Sequence, residues 1–379
     1  ISGVWIMAYT TIDDPSEYFQ TTTYTGNASD GLAITNSGNS NLQPDWLWIK
    51  KRSGSGKHVL VDSTRGVNKQ LFSDDNDPEQ TSTKFVASLD SDGFTLNDSS
   101  SGSGDTNTTS GGTYVAWQWK ANGGTTSSNS DGDITSTVQA NTTAGFSIVT
   151  YTGNGNGSDQ TVGHGLGAEC KVVFAKMRTD SGDSWRVFHE SVSQSGGGNL
   201  FLNGTSLLDT GDPARIKSTN TSTFTLLAYT SPYNALNASS KNYVAYCFAE
   251  KQGYSKFGSY TANGNVDGPF VYTGFKPAWV MFKQTNSSDT AHWFIYDSTR
   301  SPTNVIGDVG LAPDLTNAEG LGSTWNPNTS NSVVDFVSNG FKTRTTATSG
   351  FNISGNTMIY MAFAEHPFVS SKGVPVTAR

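Results

Sequence analysis

One short apolar run occurs three times in this chain: Pro44-Asp45-Trp46-Leu47-Trp48-Ile49-Lys50, Cys170-Lys171-Val172-Val173-Phe174-Ala175-Lys176 and Pro277-Ala278-Trp279-Val280-Met281-Phe282-Lys283. Each copy is rich in β-branched and aromatic residues, lacks helical spacing and is apolar at both alternating sets of positions. That pattern predicts a strand buried on both faces. Each copy ends on a lysine and is followed by a second apolar run: His58-Val59-Leu60-Val61-Asp62-Ser63-Thr64-Arg65, Trp185-Arg186-Val187-Phe188-His189-Glu190-Ser191, and Trp293-Phe294-Ile295-Tyr296-Asp297-Ser298-Thr299-Arg300. The gap from lysine to the Asp or His differs by one residue from copy to copy, as for two fixed strands joined by a variable hairpin loop. The lysines lie more than a hundred residues apart, so the repeating unit is a domain and not a solenoid turn.

Other elements recur around this pair. Each unit opens on a strand and a turn, Phe19 to Asn27, Phe146 to Asn154 and, more loosely, Phe257 to Gly264. Each closes on an apolar strand: Tyr114-Val115-Ala116-Trp117-Gln118-Trp119, Tyr243-Val244-Ala245-Tyr246-Cys247-Phe248 and Met358-Ile359-Tyr360-Met361-Ala362-Phe363. The positions of Val115, Trp117 and Trp119 are large in all three, which marks that face as the core side. The expected fold is all-β: three tandem antiparallel β-sandwiches of the jelly-roll or lectin-like kind, with little helix. The expected boundaries are 18–121, 144–252 and 253–379, with a Gly/Ser/Thr-rich linker or loop at 122–143. Residues 1–17 then hold the terminal strand of an upstream repeat, Val4 to Tyr9, which implies a longer polypeptide.

Composition narrows the function. Charged residues make up 15% of the 379 residues and the formal charge is -8. With no Lys/Arg cluster there is no electrostatic footprint for nucleic acid, and no apolar run is long enough for a membrane helix. Cys170 and Cys247 read as two buried free thiols. The sequons at Asn107, Asn141, Asn203, Asn237 and Asn352 are expected by chance in so Asn-, Ser- and Thr-rich a chain.

The five histidines show no metal-ligand spacing, and His189, standing where the other repeats have Asp62 and Asp297, reads as a polar contact at a strand end. The acids sit mostly in turns, where water keeps their pKa values ordinary, so catalytic residues are expected to be absent. Asp74, Asp75 and Asp77 in Ser73-Asp74-Asp75-Asn76-Asp77-Pro78-Glu79 form the best metal candidate, for calcium, although without EF-hand spacing. Trp325 and Tyr233 lie in loops without apolar alternation and are the candidate sugar-binding aromatics.

The run His164-Gly165-Leu166-Gly167, then Lys176, then Trp185-Arg186-Val187-Phe188-His189, resembles a motif of tail and tail-fibre proteins of tailed bacteriophages, especially marine and cyanobacterial ones. The ending Ala362-Phe363-Ala364-Glu365-His366-Pro367-Phe368-Val369, closing on Val374-Pro375-Val376-Thr377-Ala378-Arg379, resembles the C-terminus of the same proteins. The resemblance implies a virion structural protein and brings no catalytic residues. The expected function is a non-enzymatic tail-fibre or surface-appendage module on the virion, adhering to host-surface glycan. A purely architectural capsid-decoration or tail-assembly role is the alternative, and a glycan depolymerase the third. The expected partners are other virion proteins and copies of the chain itself, as a homo-oligomer and, in a fibre, a trimer.

Overall fold

The computed structural model describes residues 8–100, 104–193, 198–211, 214–228, 236–286, 291–302, 309–320, 333–346 and 351–375. Nearly every described element is a β-strand, and no described helix is long and apolar enough to cross a membrane. Each repeat contributes one large and one small antiparallel sheet. In the first, the large sheet runs in the order Phe19–Thr25 (β1), Thr113–Trp119, Trp46–Lys51, Val59–Asp62, Lys69–Phe72, Gln80–Thr81. The second and third repeat that order, Phe146–Thr152 and Ser255–Thr261 taking the place of β1. A three-stranded sheet closes each sandwich, for example Leu32–Thr35, Gly93–Leu96 and Val86–Asp90 in the first.

Side chains alternate across a strand, so the large sheets have two apolar faces and need two cores. Leu47, Ile49, Phe94 and Tyr114 fill the first sandwich, and Val173, Phe188, Phe224 and Tyr243 the second. Val280, Phe282, Phe294 and Phe341 fill the third. The opposite faces of all three large sheets meet in one shared core containing Trp46, Trp48, Trp117 and Trp119 from the first repeat, Phe174, Tyr246 and Phe248 from the second, and Trp279, Met281 and Phe363 from the third. Trp46 lies 4.3 Å from the Tyr246 ring and 4.5 Å from that of Trp119, which in turn stands edge-on to Trp279 at 5.7 Å. The large face therefore looks into a core common to the repeats, while the small positions line each sandwich. Every repeat is needed to bury the others.

The first-to-second connection is not a bare linker. Ser127–Asn129 and Ser136–Asn141 (β2) form a hairpin that extends the second sheet, β2 lying antiparallel against Phe146–Thr152 (β3). Its polar composition hid it, because the buried Gln139 spends its amide on hydrogen bonds where a strand normally shows an apolar residue.

A short helix, Glu190–Ser193 (α1), follows the second repeat's hairpin and packs against Ser255–Thr261 (β4). In β4, Ser255 pairs with Phe363 as Phe19 pairs with Trp119, so Phe257 takes the place of Thr21 and not of Phe19. The turn after the strand, and not its first aromatic, keeps the register. Of the expected opening strand, residues 4–7 lie outside the described residues, and Ala8 and Tyr9 are not in a strand. The Tyr9 hydroxyl donates to the Gly274 carbonyl at 2.9 Å, and Ile12 enters the shared core.

The turn after each opening strand needs a left-handed residue. Gly155 and Gly264 supply it at φ +69° in the second and third repeats, whereas the first uses Ala28 at φ 54°. A Cβ in that region costs about 1–2 kcal/mol. Ala28→Gly should therefore raise the unfolding free energy by about 1 kcal/mol, read as a higher urea midpoint at unchanged slope.

Candidate functional site

Two buried ionic clusters lie at junctions between repeats, in a pattern that advances cyclically. At the first-to-second junction, Asp62 and Arg65 form an ion pair whose side chains are fully buried. Asp62 also accepts from the Tyr246 hydroxyl at 2.8 Å and from the Arg65 amide at 2.7 Å. Glu79 bridges Arg65 to Arg178, at 3.0 and 2.7 Å. At the third-to-first junction the same parts return as Asp297, Arg300, Glu319 and Arg52, with Trp117 Nε1 donating to Asp297 at 3.0 Å where Tyr246 stood. Burial alone would lower the Arg65 pKa, but Asp62, Tyr246 and Glu79 together raise it, so this guanidinium stays charged.

At the second-to-third junction no buried ion pair takes that place among the described residues. His189 stands in the aspartate position and donates from Nε2 to the Tyr360 carbonyl at 3.1 Å, while its Nδ1 accepts from the Ser191 amide. Burial pushes the His189 pKa down to about 4, so the ring is neutral. Val192, Leu208 and Thr285 stand where the first-to-second junction has Arg65, Glu79 and Arg178, and Met361 replaces Tyr246. Main-chain bonds of the same kind link every junction: Glu79 N to Arg178 O at 2.9 Å, Leu208 N to Thr285 O at 3.1 Å, and Glu319 N to Arg52 O at 2.9 Å. The three repeats thus form a closed ring within one chain.

Two of the three repeated lysines serve the same closure, and the third bonds within its own repeat. Lys50 Nζ donates to the Thr316 carbonyl of the third repeat at 3.1 Å, and Lys176 Nζ reaches the Asn76 carbonyl of the first at 3.5 Å. Lys283 donates to the Ala291 carbonyl. Burial pushes all three down to about 8.

Three of the five named sequons occupy one structural position. Asn107, Asn237 and Asn352 are buried, and each accepts from the amide of the turn asparagine of its own repeat: Asn27 at 2.8 Å, Asn154 at 2.9 Å and Asn263 at 3.3 Å. Their recurrence is structural and not chance, since a side-chain amide offers the donors and the acceptor that such a turn requires. A glycan on any of them would have to displace this clamp.

The carboxylates of Asp75 and Asp77 converge on the Lys57 ammonium, Asp77 at 3.4 Å, which supplies a positive charge to this loop. Asp74 turns away to accept the His58 amide at 2.7 Å, and burial raises its pKa to about 6. Among the described residues no three metal-ligating side chains cluster as a metal site requires. Cys170 and Cys247 are buried free thiols, that of Cys170 pushed up by burial and by its contact with Cys247. Trp325 and Tyr233 lie outside the described residues.

His164 explains its own motif. Its Nε2 donates to the Asn220 carbonyl at 3.1 Å and its Nδ1 accepts from the Leu166 amide, while Gly165, at φ +72°, sits so close that a Cβ would come within 3.3 Å of Val138 and Ala140 of β2. The motif belongs to the one repeat whose sheet is extended by β2.

Among the described residues, two clefts serve as candidate binding sites. One, of about 400 Å³, lies beside the β2 hairpin and is lined by Asn122, Ser127, Asn129, Asp131 and Thr221. The other, of about 290 Å³, opens between the first and third repeats and is lined by Gln20, Thr21, Ser298, Thr299, Lys276 and Glu365, the last two paired at 2.8 Å. The first offers mainly hydroxyl and amide groups, whereas the second mixes hydroxyls with apolar surface and the Lys276–Glu365 pair. Sequence reasoning missed them because each depends on residues far apart in the chain.

A family model described as a domain of unknown function (DUF7483) matches residues 14–367. The chain belongs to this family. The match runs across all three repeats, so the family is defined on the whole ring and not on one sandwich. No curated protein matches the chain.

Proposed function

We propose that this chain is a non-enzymatic structural module of a tailed-phage particle, part of a tail fibre or another surface appendage. The observation that carries the reading is the use made of the reactive side chains at the junctions: the buried pairs Asp62–Arg65 and Asp297–Arg300 and the buried His189 hold one repeat to the next, a use that suits a rigid building block. The phage-like motifs around His164 and at the C-terminus supply the setting. Adhesion to host-surface glycan is the activity assigned to its outer clefts and loops, whose hydroxyl and amide groups match sugar hydroxyls. A purely architectural role in capsid decoration or tail assembly is the second reading, favoured by an open sheet edge between the first and third repeats.

Immunogold labelling of particles and a glycan array probed with the purified chain test this together. Labelled tails or fibres with array binding that falls on Trp325→Ala are the expected result. Labelled particles with no array signal would leave the architectural role, and unlabelled particles would overturn the virion assignment.

A further inference from the structure

The three junctions are built alike, yet something different lies against the first strand of each large sheet. Against β3 lies β2, with Gln139 opposite Ile148. Gln139 Nε2 donates to Ser63 Oγ at 2.8 Å and to Thr64 Oγ1 at 2.7 Å, and its Oε1 accepts from the amides of Asn122 and Gly124. Against β4 lies α1. Against β1, among the described residues, lie the Ser37–Gly38 loop and the 290 Å³ cleft, whose far wall holds Ser298 and Thr299, the counterparts of Ser63 and Thr64.

The open edge is suitably oriented. Tyr18 O accepts from Lys120 N and Gly26 N donates to Gly112 O, so the even-numbered residues of β1 face its partner strand. In an antiparallel pair the alternate residues turn their N–H and C=O the other way. Phe19, Thr21 and Thr23 therefore present backbone groups to the free side. Thr21, counted back from the turn, holds the place of Ile148. Its carbonyl meets Thr299 Oγ1 only at 3.5 Å, and its own Oγ1 is buried without a hydrogen-bond partner among the described residues.

We propose that this cleft is a strand-acceptor site: it takes an extended segment of a second polypeptide, antiparallel to β1, with a carboxamide side chain opposite Thr21 reaching Ser298 and Thr299. The occupant's chemistry is read from β2, which fills the equivalent place within this chain. Backbone hydrogen bonds along the edge supply affinity and the carboxamide supplies register. The paired Lys276 and Glu365 leave the lining without a net charge from these two groups, so a neutral strand suits it better than an ionic ligand. The inference does not depend on the virion reading.

The test is a fluorescence-anisotropy titration of the full chain with a labelled synthetic peptide of residues 134–143. Saturable binding is expected, weakened about tenfold when the peptide carries Gln139→Leu, since one or two hydrogen bonds are lost. Thr21→Pro in the protein should weaken it at least as much. That N–H faces away from the ladder, a position where an edge strand tolerates proline, and thermal melting checks that the variant folds. Thr299→Val is the second variant and should also weaken binding. No saturable binding by the parent, or equal binding by all variants, would overturn the proposal. A glycan-array signal lost in Thr299→Val but kept in a folded Thr21→Pro protein would assign the cleft to sugar and overturn it as well.

Discussion

Asp62→Ala should lower the unfolding free energy by about 3–5 kcal/mol, because it leaves the Arg65 guanidinium fully buried without its principal partner. The Tyr246 hydroxyl would lose its acceptor in the same step. Denaturant unfolding followed by tryptophan fluorescence measures this, since Trp46 lies against Tyr246 and reports on the shared core. The molecule also contains its own compensated version of the change. At the second-to-third junction, His189, Val192, Leu208, Thr285 and Met361 replace the entire ionic set. The combined substitution Asp62→His, Arg65→Val, Glu79→Leu, Arg178→Thr and Tyr246→Met should therefore recover most of what Asp62→Ala alone loses, as expected when a buried ionic cluster is exchanged whole for packing residues. A combined variant no more stable than Asp62→Ala would show that the two junction chemistries are not interchangeable.

Alkaline pH should stabilise the chain before it unfolds it. Lys50, Lys176 and Lys283 release their protons at about 8 when folded, against an ordinary value of 10.5. Between those values the unfolded chain binds more protons, so stability rises with pH through that window. The Cys170 thiol, pushed up by burial, and the buried tyrosines act in the opposite sense, the single thiol offsetting part of the three lysines' gain within the window. Burial lifts Tyr246 and Tyr254 well above 10, so beyond the ordinary tyrosine value the unfolded chain ionises first and stability falls. The gain is thus confined to roughly pH 8–10 and should amount to about 1–2 kcal/mol per lysine. Guanidinium midpoints at about pH 7.5 and 9.5 measure it, and Lys176→Met should remove about a third of the rise or more. A flat or falling midpoint across the window would mean that these ammonium groups are not desolvated.

How much of this was legible beforehand follows from which residues carried it. The triple recurrence of the lysine strand, with the Asp-Ser-Thr-Arg turn in two of the three copies, identified three all-β units, because a strand pair must repeat its spacing if its hydrogen bonds are to repeat. The place of His189 at an aspartate position was equally plain, since it depends only on counting along one hairpin. The β2 hairpin escaped notice because Gln139 is buried for its hydrogen bonds and not for its hydrophobicity. The shared sequon position of Asn107, Asn237 and Asn352 escaped because each clamp joins residues about 80 or more positions apart.

The sequence by itself determined the elements: which runs are strands, that the large sheets are apolar on both faces, and that three copies of one unit exist. Only the tertiary structure decided what those second faces are for, namely a single core shared by all three repeats. It also decided that buried charges hold two of the three junctions and that, among the described residues, no strand pairs with the outer edge of β1. The reason is physical. Alternation along a strand depends on neighbouring residues, whereas closure depends on contacts such as Trp117 with Asp297, Lys50 with Thr316 and Tyr246 with Asp62, whose partners are set by how whole sheets pack.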